Sequence, residues 1–177
     1  MEMKRKEELQ KLNTLPDLCR YNHLVEEIDH LYHTIAIRLG VADSVLMLLY
    51  TVKESGGSCL LRTVYDTTGM PKQTLNSALR RMEADGILTL SPADGKEKKI
   101  FLTEAGKAFA DRTAGRLMTA ENAVFAAWKR EDVERYLTLT ERFLSDLSRE
   151  AREIGLPDIA AADLEKGRRI SHEEQNK

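Results

Sequence analysis

The chain has 177 residues, of which 42% are hydrophobic, 32% charged and 6% aromatic, and its formal net charge is −2. That length supports one sizeable core, or a small domain with an oligomerisation arm. Two separated cysteines, Cys19 and Cys59, exclude a disulfide framework, and the longest apolar run, Val45 to Tyr50, is far short of the roughly 20 residues of a membrane-spanning helix.

Residues 1–16 are mostly polar and are expected to be flexible. Met1 to Lys11 lacks the apolar stretch of a secretory signal, so a reduced, cytoplasmic setting is expected. Thr14-Leu15-Pro16-Asp17 has the form of a helix start, with a capping residue, an early proline and an acid. Leu18, Tyr21, Leu24, Val25, Ile28, Leu31, Tyr32, Ile35 and Leu39 follow at helical spacing, which predicts one long amphipathic helix over 17–40 that stops at Gly40. A second helix, 42–53, is apolar on several sides and is predicted to be buried.

Beyond Gly56-Gly57, Cys59-Leu60 fits a very short strand. Two short helices parted by Gly69 come next. The first spans about 61–67 with Leu61, Val64 and Tyr65 inward; the second spans 71–84 with Leu75, Ala78, Leu79 and Met82 inward and Pro71 as its first residue. Residues 87–90 and 98–102 read as two strands around the turn-rich segment 91–96, which makes a hairpin with a charged tip. Thr103 is the expected N-cap of a helix running to about Ala126, and a last helix starts near Arg130, where Glu131 and Asp132 suit a helix N-terminus. Its apolar stripe runs from Val133 to Ala151, and Gly155-Leu156-Pro157 closes it. Residues 156–177 form a polar tail.

Helix, turn, helix and a hairpin with a basic tip is the winged helix-turn-helix order. The expected fold is mainly α with a small β-hairpin wing. A DNA-binding domain over 41–102 is flanked by long helical segments at 17–40 and 103–155. In this arrangement the second helix of the pair enters the major groove. Its outer face holds Lys72, Gln73, Asn76, Ser77 and Arg80, with Thr74 between the faces and Arg81 following. Asparagine and glutamine can pair with adenine, lysine and arginine can reach guanine or phosphate, and a threonine methyl can meet thymine. Lys96 and Lys98 on the hairpin can follow the phosphate backbone. Between Met70 and Phe101 six basic residues outnumber four acidic ones, so this stretch is positive in a chain that is negative overall.

The stretches LRTVYDTTGMPKQTLNSALRRMEADGIL and SPADGKEKKIFLTEAGKAF resemble the MarR family of bacterial regulators. The element order matches over about Asp17 to Glu150, and the motifs are sharp from Gly69 to Gly106. The wing motif is Asp94-Gly95-Lys96, with lysine where the family has arginine, which keeps the charge and loses the planar fork. The helix opening Leu102-Thr103-Glu104-Ala105-Gly106 matches well. The resemblance implies a homodimer on a pseudo-palindromic operator, with 17–40 and 103–155 as its dimerisation helices. It also implies a small-molecule effector in a space that Tyr32, Met47, Tyr50 and Phe109 would line. Cys19 takes a place similar to the sensing cysteine of the family's peroxide-responsive branch.

No sequence motif calls for a cofactor or a metal. Glu26, His30 and His33 share one helix face, with nothing nearby in sequence to complete a zinc site. No nucleophile motif or phosphate loop is present, so catalysis is not expected. The rival to a DNA-binding regulator is a winged-helix module that binds another protein.

Overall fold

The computed structural model describes residues 16–93 and 97–154. The expected flexible start, the polar tail at 156–177 and the wing tip Asp94–Lys96 lie outside the described residues. The chain forms two compact units divided between Asp43 and Ser44.

In the first unit, α1 (Pro16–Arg38) ends at Gly40, whose φ of 75° suits glycine alone. His33 Nδ1 lies 2.8 Å from Asp43 Oδ2 across this end. Ala36 is buried, whereas Leu24, Ile28 and Leu31 remain 48–58% exposed along one stripe.

Helix α2 (Asp43–Glu54) belongs to the second unit but for its first residue. Val45, Leu46, Leu48, Leu49, Thr51 and Val52 are buried on it, which is why its sequence is apolar nearly all round. Strand β1 (Ser58–Leu60) follows a turn at Gly56 and Gly57. Helices α3 (Leu61–Thr68) and α4 (Lys72–Ala84) come next, then β2 (Leu88–Pro92), β3 (Lys98–Leu102), α5 (Glu104–Arg112), α6 (Ala114–Ala127) and α7 (Arg130–Glu153). The sheet is antiparallel in the order β1-β3-β2, with Ser58 opposite Phe101 and Leu88 opposite Leu102. Val64, Leu75, Leu88 and Ile100 join Leu48, Leu49 and Val52 among its fully buried side chains.

Two expectations need correction. The helix expected from Thr103 to about Ala126 is broken at Thr113, where φ is −117° and ψ −91°. The Thr113 hydroxyl donates to Phe109 O at 2.7 Å and is buried there. A hydroxyl bonded back into the preceding turn competes with the backbone ladder and bends the helix, with no glycine or proline at the break itself. Pro71 is also not the first helical residue. Its ψ of 137° is extended, so it stands at the N-cap and α4 begins at Lys72.

Candidate nucleic-acid interface

The turn between α3 and α4 has a local cause. Gly69 adopts φ 61° and its N–H donates to Tyr65 O at 3.0 Å, ending α3 in a left-handed cap. The Thr68 hydroxyl donates to Val64 O at 2.7 Å, and Met70 N donates to the same hydroxyl at 3.3 Å. The chain thus reverses over Gly69–Pro71, and α4 starts afresh.

Helix α4 is divided cleanly. Leu75, Ala78, Leu79 and Met82 are buried; Lys72, Gln73, Thr74, Asn76, Ser77, Arg80 and Arg81 are exposed. Three to four residues separate the buried positions, so the polar face between them can only face outward. The first turn of α4 has no acidic residue, which leaves the positive end of the helix dipole unopposed. Arg81 turns towards the other end, with Nε 3.9 Å from Asp85 Oδ2.

Two residues that the sequence did not mark also enter the site. Tyr65, expected to point inward, is half-buried, and its hydroxyl donates to Asn76 Oδ1 at 3.3 Å. Its apolar ring at an inward position hid that polar end. Arg62 of α3 reaches Asp66 at 3.4 Å and Glu97, at the wing base, at 3.9 Å. A lone arginine on a short helix carries no sequence signal of such a role.

The wing hairpin extends one pair past its strands, with Ala93 N donating to Glu97 O at 2.8 Å. Lys98 is exposed, and Lys99 Nζ lies 5.2 Å from the centre of the Phe101 ring. Lys96 is outside the described residues.

The far end of α4 is held by the start of α5. Thr103 N donates to Ile87 O at 3.1 Å, and the Thr103 hydroxyl donates to Gly86 O at 2.7 Å. That same hydroxyl accepts from Gly106 N at 3.0 Å, so one side chain both caps α5 and ties it to the end of α4.

The residues expected to line an effector space are scattered over three helices. Tyr32 on α1 and Met47 on α2 are 39% and 40% exposed. Tyr50 is half-buried and its hydroxyl donates to Glu121 Oε2 at 2.8 Å; the Arg112 guanidinium sits 4.8 Å from the Phe109 ring centre. An open groove of about 420 Å³ lies elsewhere, along α7, lined by Leu139, Arg142, Phe143, Asp146, Leu147 and Glu150. Cys19 is exposed on α1, and Cys59 is buried, where desolvation pushes its thiol up to about 11. Among the described residues no three metal-ligating side chains come together, and no single helix is long and apolar enough to cross a membrane.

The MarR family model matches residues 39–97. None of the curated proteins matches the chain in sequence. The fold is similar to that of NMB1585, a MarR family regulator from Neisseria meningitidis, with a TM-score of 0.69 at 17% identity over 78% of this chain and 99% of that one. It is also similar to the PcaV regulator of Streptomyces coelicolor in complex with its natural ligand, with a TM-score of 0.54 at 19% identity over 76% of this chain and 94% of that one. MepR of S. aureus, in a DNA complex, gives 0.55 at 15% identity over 72% of this chain and 94% of that one.

Proposed function

We propose, on the premise that residues 39–97 form a MarR-family winged-helix module, that the chain is a DNA-binding transcription regulator and not an enzyme. It acts as a cytoplasmic homodimer on a two-fold site, with α4 in the major groove and the wing on the flanking backbone. The observation that carries this is the division of α4, whose four apolar residues are buried while Lys72, Gln73, Thr74, Asn76, Ser77 and Arg80 are all exposed. Gln73, Asn76, Ser77 and Arg80 supply donors and acceptors for base edges; Lys72, Arg81, Lys96 and Lys98 supply charge for phosphate.

Surface chemistry supports the dimer. On α7, Tyr136, Leu137, Phe143, Leu144 and Leu147 are 39–54% exposed, and α1 carries a similar stripe. Apolar surface on this scale marks an interface. Dimerisation is assigned on this basis to the segments that carry these stripes, 17–40 and 103–155. MepR in its DNA complex and PcaV with its ligand support the partner classes, duplex DNA and a small effector. Tyr32, Met47, Tyr50 and Phe109 remain the residues proposed to meet the effector, and Cys19 the one proposed to respond to oxidants.

One observation favours the rival module that binds a protein instead. Arg62 and Arg81 are each within 4 Å of a carboxylate, which lowers the positive charge beside α4. Binding to the intergenic DNA next to the gene, titrated against salt, separates the two. A regulator binds that DNA well above random duplex, loses affinity steeply with salt, and loses it again in Asn76→Ala and Arg80→Ala. Equal, weak binding to every duplex would leave the protein-binding module standing.

A further inference from the structure

Resting on the reading of α4 as the major-groove helix, we infer that Tyr65 sets the base preference of Asn76, making it a donor-led reader of guanine. Asn76 sits mid-way along the exposed face of α4, one turn from both Gln73 and Arg80. An unrestrained asparagine pairs with adenine through both amide atoms: Oδ1 accepts from N6 and Nδ2 donates to N7. That pairing needs both atoms turned to the base edge together. Here Oδ1 accepts from the Tyr65 hydroxyl at 3.3 Å, so it is turned back towards α3. The amide is planar, with its oxygen and nitrogen on opposite sides of Cγ. Holding Oδ1 against Tyr65 therefore presents Nδ2, which has only N–H donors, to whatever approaches the helix.

Guanine suits such a group because it shows two acceptors, N7 and O6, in the major groove. Adenine places its N6 donor beside N7, and cytosine shows a donor. Tyr65 is well placed to enforce the choice. Its carbonyl is fixed by the Gly69 cap at 3.0 Å, its neighbour Val64 is fully buried, and a tyrosine ring has few rotamers to lose. Tyr65 is thus assigned as a positioning residue that acts through Asn76.

Selection from a pool of random-sequence duplex DNA tests this. The wild-type chain is expected to enrich guanine at one position of each half-site, and Asn76→Ala to flatten that position. Tyr65→Phe removes only the hydroxyl. It should lower the guanine-over-adenine ratio there by about tenfold, with the other positions unchanged within about twofold. Asn76→Asp keeps an acceptor for Tyr65 but exchanges donor for acceptor towards the base. It should shift the same position to cytosine, and it tests the inference without altering Tyr65. Enrichment of adenine by the wild type at the position that Asn76→Ala flattens would overturn the inference. So would a Tyr65→Phe protein with unaltered preferences, or with all positions weakened alike. A wild-type chain that enriches no sequence at all would sink the DNA-reading function itself, an outcome distinct from these.

Discussion

The backbone of Gly106 lies so close to the carbonyl of Ile87 that a Cβ on Gly106 would stand 1.8 Å from that oxygen. The obstacle is backbone, and Gly106 is helical, so neither a rotamer change nor an ordinary backbone adjustment can relieve it. Gly106→Ala must push α5 away from the end of α4, and we expect it to lower stability by about 2–3 kcal/mol. Gly115→Ala is the matched control. Its Cβ would meet the flexible Lys53 side chain at 3.0 Å, and the gain in helix propensity offsets that contact. Urea unfolding of both variants measures the difference, and equal midpoints would contradict it.

Thr103 is expected to behave as a cap with a second duty. Thr103→Ala removes the acceptor for Gly106 N and the donor to Gly86 O, at a cost of about 1–2 kcal/mol. Thr103→Ser retains the hydroxyl and should recover most of it. Thermal melting of the three proteins decides the matter. If serine is no better than alanine, the methyl group and not the hydroxyl holds this junction.

The stripe on α7 should govern assembly. Leu137→Glu and Leu144→Glu each place a charge on a half-exposed apolar position, where it harms the folded monomer little and an interface greatly. Sedimentation is expected to show a monomer with unchanged helix content and weakened DNA binding. A dimer that persists in the double variant would remove α7 from the interface.

Cys59 gives a pH dependence with a definite sign. Burial raises its thiol from 9.0 to about 11, with a hydrogen bond to Ser55 and the charge of Lys99 opposing in part. The folded state thus holds its proton more tightly than the unfolded state. Its share of stability is fully present below pH 9.0 and is lost as pH rises towards 11. Replacing Cys59 with alanine should flatten the fall in stability across that window, whatever it does to stability at pH 7. In the same range a thiol reagent should label exposed Cys19 well before Cys59.

The sequence and the structure agree best where periodicity meets burial. The four inward residues of α4 could be read from spacing alone, because a helix offers only one face to its domain. The strands were legible from their residue types and the turn between them. Thr113 was not, since a threonine within a helical stretch shows nothing of the bond it makes to Phe109 O. Gly106 could be recognised as part of a motif, but its reason, the nearness of Ile87 O, exists only once α4 and α5 meet in space. The partner of the Tyr65 hydroxyl was hidden for a related cause. Its ring obeys the helix period, while its hydroxyl answers to a residue on another helix.

The pairing of β1 with β3 has a consequence for how the protein comes apart. Ser58 opposite Phe101 ties the two ends of a chain loop that contains α3, α4 and the wing hairpin. Closing that loop costs entropy once, and everything inside it is then retained together. Amide protons in the buried middle of α4 and in β3 should therefore exchange with solvent through one shared opening event.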